Sequence, residues 1–371
     1  MPRSAYVHVP FCRHHCGYCD FAVAAGRDDR IDDYLAALGA ELSRLPGPRP
    51  VGTIFLGGGT PTHLAPPQLE RLLALIARHF LLEPGGEYTV EANPDSLTEE
   101  RIAVLAAFGV RRVSLGGQSF HPHLLAVLER DHDPAAITRA VEELRGRIGH
   151  VSIDLIFGIP GQTLAEWRTD LARAVDLGVE HVSTYGLTYE KGTPLWKQRR
   201  RGTLIPLDEE AELAMYRHAI DALEAAGFDH YEISNFARPG AQSRHNRVYW
   251  ANEAYFGAGL GAARYVGGSR EVNTRDLSGY IRRALAGESV TQEAEQLPPE
   301  ERARETMAVQ FRRCEGIDRV AFHAQTGFAL DGIADRLSQV IELGLLADDG
   351  RWVRLTRAGK YVADGVIERL L

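Results

Sequence analysis

Pro10-Phe11-Cys12-Arg13-His14-His15-Cys16-Gly17-Tyr18-Cys19 places three cysteines within eight positions, spaced Cys-x3-Cys-x2-Cys. Thiolates gathered at one point are a ligand set for an iron–sulfur cluster. A cubane cluster has four irons, so three ligands leave one iron open to a small molecule, as an open coordination position does at a catalytic metal. The competing reading is a zinc knuckle or a set of buried thiols. A zinc knuckle repeats a Cys-x2-Cys pair or adds paired histidines at fixed spacing. His14 and His15 instead lie between the cysteines, where ring and thiolate would compete for one short loop.

Outward from this loop, the composition narrows the class. A chain of 371 residues suits one large domain and a smaller one. With 44% hydrophobic and 25% charged residues it can build a large core, and a net charge of −8 argues against a general nucleic-acid binder. Only four cysteines are present and three are clustered, which is no disulfide framework and points to a reducing compartment, the cytoplasm. Strand-like Ala5 to Val9 follows directly on Met1-Pro2-Arg3-Ser4, which fits no signal peptide, and no apolar run is long enough to span a membrane.

Periodicity gives alternating strands and helices. Short strands are expected at Tyr6 to Val9, Thr53 to Leu56, Tyr88 to Glu91, Arg112 to Leu115, Val151 to Ile156 and His181 to Tyr185. Leu69, Leu72, Leu73, Ile76 and Phe80 mark one helix face, Ile137, Val141, Leu144 and Ile148 another, and Leu213, Tyr216, Ile220 and Leu223 a third. Six strand–helix units imply an α/β fold, a parallel sheet curved into a partial (β/α)6 barrel with helices outside. In such folds function gathers at the C-terminal ends of the strands. The cysteine loop, Gly57-Gly58-Gly59-Thr60-Pro61, Gly116-Gly117-Gln118 and Gly158-Ile159-Pro160-Gly161 all fall there. Residues 1–230 are expected to form this core and 231–291 a Gly- and aromatic-rich extension. The stretch Gln292 to Glu301 reads as a linker into a C-terminal domain over 292–371. In that domain Ile333, Leu337, Val340 and Ile341 form a helix face ending at Gly344. Asp349-Gly350 turns a hairpin before Trp352 to Leu355, and Thr356 is placed to cap a last helix. The order resembles a winged helix. Without a basic recognition helix, it is expected to be a small docking or lid domain.

The cysteine motif paired with the glycine loop resembles the radical S-adenosylmethionine (SAM) superfamily. More narrowly, Val9 to Cys12, Tyr18 to Phe21 and Leu56 to Thr62 resemble the branch that holds the oxygen-independent coproporphyrinogen III oxidases and the heme chaperones, over nearly the whole chain. The resemblance implies that Cys12, Cys16 and Cys19 hold a [4Fe–4S] cluster whose open iron is chelated by the amino and carboxylate groups of SAM. It implies SAM-binding roles for Tyr6, Tyr18, Gly58, Gly59, Thr60, Glu91, Gln118, Arg130, Asp154 and Thr188, and puts the backbone of Gly158 to Gly161 against the adenine. The glycines would let backbone approach the SAM amino group. Asp154 lies mid-strand between apolar neighbours, where an unpartnered carboxylate is costly. Cys314 is read as a thiol outside the cluster.

Two departures separate the branches. The oxidases carry a further cysteine two positions after the third, where this chain has Phe21, and a long segment ahead of the first strand, which here begins at about Ala5. Arg244-His245-Asn246-Arg247-Val248-Tyr249-Trp250 resembles the His-Asn-x-x-Tyr-Trp motif of the chaperones, which implies heme binding with His245 facing the iron. Tyr249, Trp250, Tyr255 and Phe256 would supply flat apolar surface to the porphyrin. Arg199-Arg200-Arg201 is either a propionate contact or a solvated face. The resemblance thus implies a chaperone that hands heme to acceptor proteins, with a redox protein as electron donor for the cluster and no nucleic acid. It leaves open a peripheral membrane contact and a homodimer. The alternatives are a coproporphyrinogen III oxidase and a zinc-stabilised scaffold.

Overall fold

The computed structural model describes residues 2–371. Six parallel strands run through its core: β1 (Ser4–Val9), β2 (Arg49–Gly58), β3 (Phe80–Ala92), β4 (Arg112–Gln118), β5 (His150–Phe157) and β6 (His181–Gly186). Three more come from the segment after the barrel helices: β7 (Asp229–Glu232), β8 (Asn235–Ala237) and β9 (Phe256–Ala258). The sheet order is β9-β1-β2-β3-β4-β5-β6-β8-β7, with β9 to β6 all parallel and the β7–β8 hairpin antiparallel at one edge. The two ends do not pair, so the barrel is partial. All six expected strands are present.

Residue alternation explains the two faces of this sheet. Ala5, Val7 and Val9, then Ile54 and Leu56, Val90, and Ile153 and Leu155 are almost wholly buried and pack under the outer helices. Their alternates, Tyr6, His8, Thr53, Thr89, Glu91, Ser114, Ser152, Asp154 and Ser183, carry polar groups. A closed barrel fills its interior with layers of branched apolar side chains; this one lines it with hydroxyls and carboxyls, which leaves space for a polar ligand.

The outer helices obey the expected apolar faces. Pro66–His79 buries Leu69, Leu72, Leu73 and Ile76, while Phe80 belongs instead to β3. Pro134–Leu144 buries Ile137, Val141 and Leu144, but ends before Ile148, which bridges to Arg145; Glu209–Ala225 buries Tyr216, Ile220 and Leu223 and leaves Leu213 half-buried. The expected linker is ordered structure. Thr291–Glu295 pairs antiparallel with Ser269–Asn273, and Pro298 with Pro299 opens the helix Pro299–Gln310, a placement Pro favours at a helix start. The C-terminal part then runs helix, strand, helix, helix, hairpin, helix in the order of a winged helix. The Leu346–Asp348 and Trp352–Leu355 hairpin and the Thr356 cap on Gly359 N–H are both present. This part is tied to the barrel by backbone bonds, Ile233 N–H to Arg312 O at 3.1 Å and Cys314 N–H to Tyr231 O at 3.1 Å. Among the described residues no helix is long and apolar enough to cross a membrane.

Candidate functional site

At the C-terminal ends of the strands a cavity of about 730 Å³ opens. Cys12, Cys16 and Cys19 line one wall. Cys12 ends the short strand Phe11–Cys12, which pairs with Ala24–Ala25 and so fixes both ends of the cysteine loop. Thr60 and Gly59 from the glycine loop donate their N–H groups to Phe11 O and Val9 O, both at 2.8 Å, and Thr60 Oγ1 lies 3.3 Å from Cys12 Sγ. Two loops distant in sequence are thereby locked edge to edge. From the other side Gly17 N–H bonds Leu128 O and Leu195 N–H bonds Gly17 O, at 3.1 and 2.9 Å.

Tyr18, Gly58, Gly59, Thr60, Glu91, Gln118, Arg130, Asp154 and Thr188 line the same cavity. Tyr6 does not; it lines a second space of about 280 Å³ deeper in the lumen and hydrogen-bonds His8 Nδ1 at 2.9 Å. His8 Nε2–H donates to Ala22 O at 2.9 Å, so its Nδ1 accepts from the Tyr6 hydroxyl. Burial holds the His8 pKa down to about 4, and the neutral ring buttresses the cysteine loop. Gly158 to Gly161 do not line either space.

The protein itself requires the glycines. A Cβ on Gly58, whose φ is +103°, would meet the His8 ring at 2.3 Å, and one on Gly59 would meet the Pro10 and Val9 backbone at 2.7 Å. Protein on the far side of the loop excludes a side chain. Gln118 has φ +62°, a conformation costly for a residue with a Cβ and concentrated at functional sites. It turns the end of β4 inward, next to Arg130.

Charge in the cavity is arranged for a cation. Glu91 accepts the Gly58 N–H at 3.0 Å; burial, then the nearby Asp154 carboxyl, push its pKa up to about 8. Asp154 accepts Ser183 Oγ at 2.6 Å and Ser114 Oγ at 3.2 Å, and burial still raises its pKa to about 6. Two buried carboxyls facing one space favour a positively charged group between them. Arg130 donates to Gly116 O at 2.7 Å and to Cys16 Sγ at 3.5 Å, while its buried Nε has no partner. Burial raises the Cys12 and Cys19 thiols to about 12 and 11. Metal must therefore displace their protons on binding.

The residues fit a cluster. Among the described residues no group of three or more His, Cys, Asp and Glu side chains is arranged to hold a metal ion. The three thiols line one cavity, with Thr60 Oγ1 3.3 Å from Cys12 Sγ and Arg130 donating to Cys16 Sγ, a three-thiolate donor set that suits a cluster with one iron left open. Cys314 lies apart, half-buried beside Lys360 and the β7–β8 hairpin.

His245 departs from its expected place. Its ring is fully buried, Nδ1 is 2.8 Å from Thr53 Oγ1, Nε2 is 2.8 Å from the Tyr249 hydroxyl, and Phe55 stacks on it at 5.2 Å. Burial holds its pKa down to about 3. As folded here neither ring nitrogen is free to meet iron. The neighbouring aromatics also point inward: Tyr255 packs on Tyr249 and Phe256 on Phe80. Arg199 and Arg200 lie over Tyr189 and Trp196 at 4.8 and 5.0 Å, the geometry of a solvated cation–π face. The sequence reading did not single out Asn93, Ser114 and Tyr185, which also line the large cavity, or Ser183, which holds Asp154. Their signal was only their position at strand ends, polar on the lumen alternation.

Comparison with known proteins agrees with the geometry. Residues 6–174 match the radical SAM superfamily and residues 297–362 the HemN C-terminal domain. The whole chain is 37% identical to heme chaperone HemW of Bacillus subtilis, covering 99% of it, and 38% identical to heme chaperone HemW of Mycobacterium tuberculosis, covering 95%. The fold superposes on coproporphyrinogen III oxidase (HemN) from Escherichia coli, described as a radical SAM enzyme. The TM-score is 0.86 at 23% identity, over 100% of this chain and 90% of that one.

Proposed function

Because the chain belongs to the heme chaperone HemW family of the radical SAM superfamily, we propose that it binds heme, a [4Fe–4S] cluster and SAM and passes heme to acceptor proteins. Superfamily membership implies the cluster and SAM. When bound, the cluster supplies electrons at an open iron beside the SAM sulfonium. Cys12, Cys16 and Cys19 would hold it, with Arg130 donating to the Cys16 sulfur. Glu91 and Asp154 would sit around the cationic SAM, Glu91 losing its proton as positive charge enters the cavity. Gln118 and Arg130 would supply donors to its carboxylate, with Tyr18, Thr60 and Thr188 along the walls.

The observation that carries the chaperone over the oxidase is Phe21. It lines the cavity, 60% exposed, at the position where the oxidases carry their further cysteine. A heme-accepting protein and an electron donor would be the partners, in the cytoplasm. The test is anaerobic reconstitution followed by two assays on one sample. Heme titration is expected to show stable binding, and coproporphyrinogen III with reductant and SAM is expected to show little turnover. Robust turnover without heme binding would make the oxidase the better reading.

A further inference from the structure

Unpaired cations gather beside the cysteine loop. Over residues 191–207 the chain carries Lys191, Lys197, Arg199, Arg200 and Arg201 and no acidic residue, although its net charge is −8. All five are exposed, and among the described residues none of them forms an ion pair. The helix Pro194–Arg200 is seated on the cysteine loop: Leu195 N–H bonds Gly17 O at 2.9 Å, and Leu195 and Leu204 are buried in one apolar cluster against which Tyr18 packs. Arg200 and Arg201 follow Leu195 within about 9 Å along a helix axis. The chain then turns back, Gly202 N–H bonding Arg199 O at 3.0 Å and Thr203 N–H bonding Gln198 O at 3.1 Å, and leads into Ile205, 82% exposed. Arg199 and Arg200 lie over Tyr189 and Trp196, which hold them without neutralising them. Glu212 senses Arg199 through space without pairing with it. Cations in a last turn suit the helix dipole, but Lys191 lies ahead of the helix, where that dipole opposes it. Fixed cations with an exposed apolar side chain among them are the parts of a protein interface, a charged rim and an apolar contact. Such a patch draws an acidic surface from solution.

We propose that this helix and the turn after it are the docking surface for a small acidic electron-transfer protein that reduces the cluster. The proposal rests on the cluster reading and adds where the electron enters. A donor must come close to the cluster, and this surface is bonded through its backbone to the loop that carries the thiols. One electron leaves the donor and enters the cluster. A flavin donor passes from anionic hydroquinone to neutral semiquinone, the cluster is reduced by that electron, and no bond forms or breaks.

The test uses the anaerobically reconstituted holoprotein, with flavodoxin, an acidic one-electron flavoprotein, as the probe. Oxidised flavodoxin is titrated by calorimetry to read binding. Its hydroquinone is mixed with the holoprotein in stopped flow to read cluster reduction, and dithionite, which needs no docking surface, reduces the same samples for reference. The patch pair, Lys197→Glu with Arg201→Glu, reverses two exposed cations that stack on no ring. It is expected to weaken flavodoxin binding, and to slow reduction by flavodoxin, about tenfold or more at low salt. The difference is expected to shrink to about twofold at about 0.5 M salt. The control pair, Arg282→Glu with Arg369→Glu, changes net charge equally at exposed positions elsewhere and is expected to stay within about twofold of the parent. Cluster absorption and dithionite reduction are expected to be the same in all three proteins. Equal flavodoxin affinity in all three, an equal loss in both pairs, or a parent that binds no flavodoxin overturns the docking surface. So does a patch pair that keeps flavodoxin affinity but no longer binds, as the parent does, vesicles of phosphatidylglycerol and phosphatidylcholine; that result assigns the patch to an anionic membrane. A parent that builds no [4Fe–4S] cluster brings down the cluster reading itself, and the docking surface with it.

Discussion

Glu91 and Asp154 show how single residues set the ligand the cavity will take. Glu91 lies one residue from the end of β3 and Asp154 inside β5, both facing the cavity, and among the described residues neither forms an ion pair, Arg130 acting on Asp154 only through space. A folded pKa of about 8 against 4.5 for Glu91 means that folding favours the protonated form. Its contribution to stability is complete below about pH 4.5 and is lost as pH rises through about 8. In metal-free, ligand-free protein, Glu91→Gln should therefore melt close to the parent at about pH 5 and clearly above it at about pH 8.5. Equal melting temperatures at both pH values would show that Glu91 titrates normally and that the cavity is not charge-frustrated. Asp154 was legible as a functional candidate because a carboxylate among Ile153, Leu155 and Ile156 demands a partner. His245 was not legible in the same way. A motif states that a histidine matters, but only packing shows that Thr53, Phe55 and Tyr249 enclose its ring.

At the scale of elements, the strand ends do the positioning, and β2 with its glycine loop is the clearest case. Gly58 and Gly59 lie against His8 and the Pro10 backbone, so the loop is clamped to the cysteine segment by exclusion of side chains as much as by hydrogen bonds. Gly58→Ala should destabilise the fold by about 2–4 kcal/mol, from overpacking and from a positive φ on a residue with a Cβ. Denaturant unfolding of the cluster-free protein checks this. An unchanged midpoint would return the glycines to a purely ligand-facing role. The alternation of β1 to β6 and the helix faces were legible because each obeys one period. The parallel edge strand β9 was not: Phe256–Ala258 is too short to show alternation, and its pairing with Ala5 to Val7 is a contact across the whole chain. The strand Thr291–Glu295 was missed because Thr, Gln and Glu on an exposed edge carry no apolar pattern.

The whole molecule is a partial barrel with a polar lumen, closed at one edge by the β7–β8 hairpin that also carries the C-terminal domain. One loop brings three thiols to the lumen mouth, and β3 and β5 bring a cation-favouring pair of carboxyls to the same cavity. That arrangement makes SAM binding at an open cluster iron the central claim. It is tested most directly by electron paramagnetic resonance of the reduced, anaerobically reconstituted protein, with and without SAM. A [4Fe–4S] signal that SAM perturbs is expected in the parent and in Cys314→Ala, and no such signal in Cys12→Ala, Cys16→Ala or Cys19→Ala. A signal that is indifferent to SAM, or one that survives loss of Cys12, Cys16 or Cys19 and disappears with Cys314, would contradict the account.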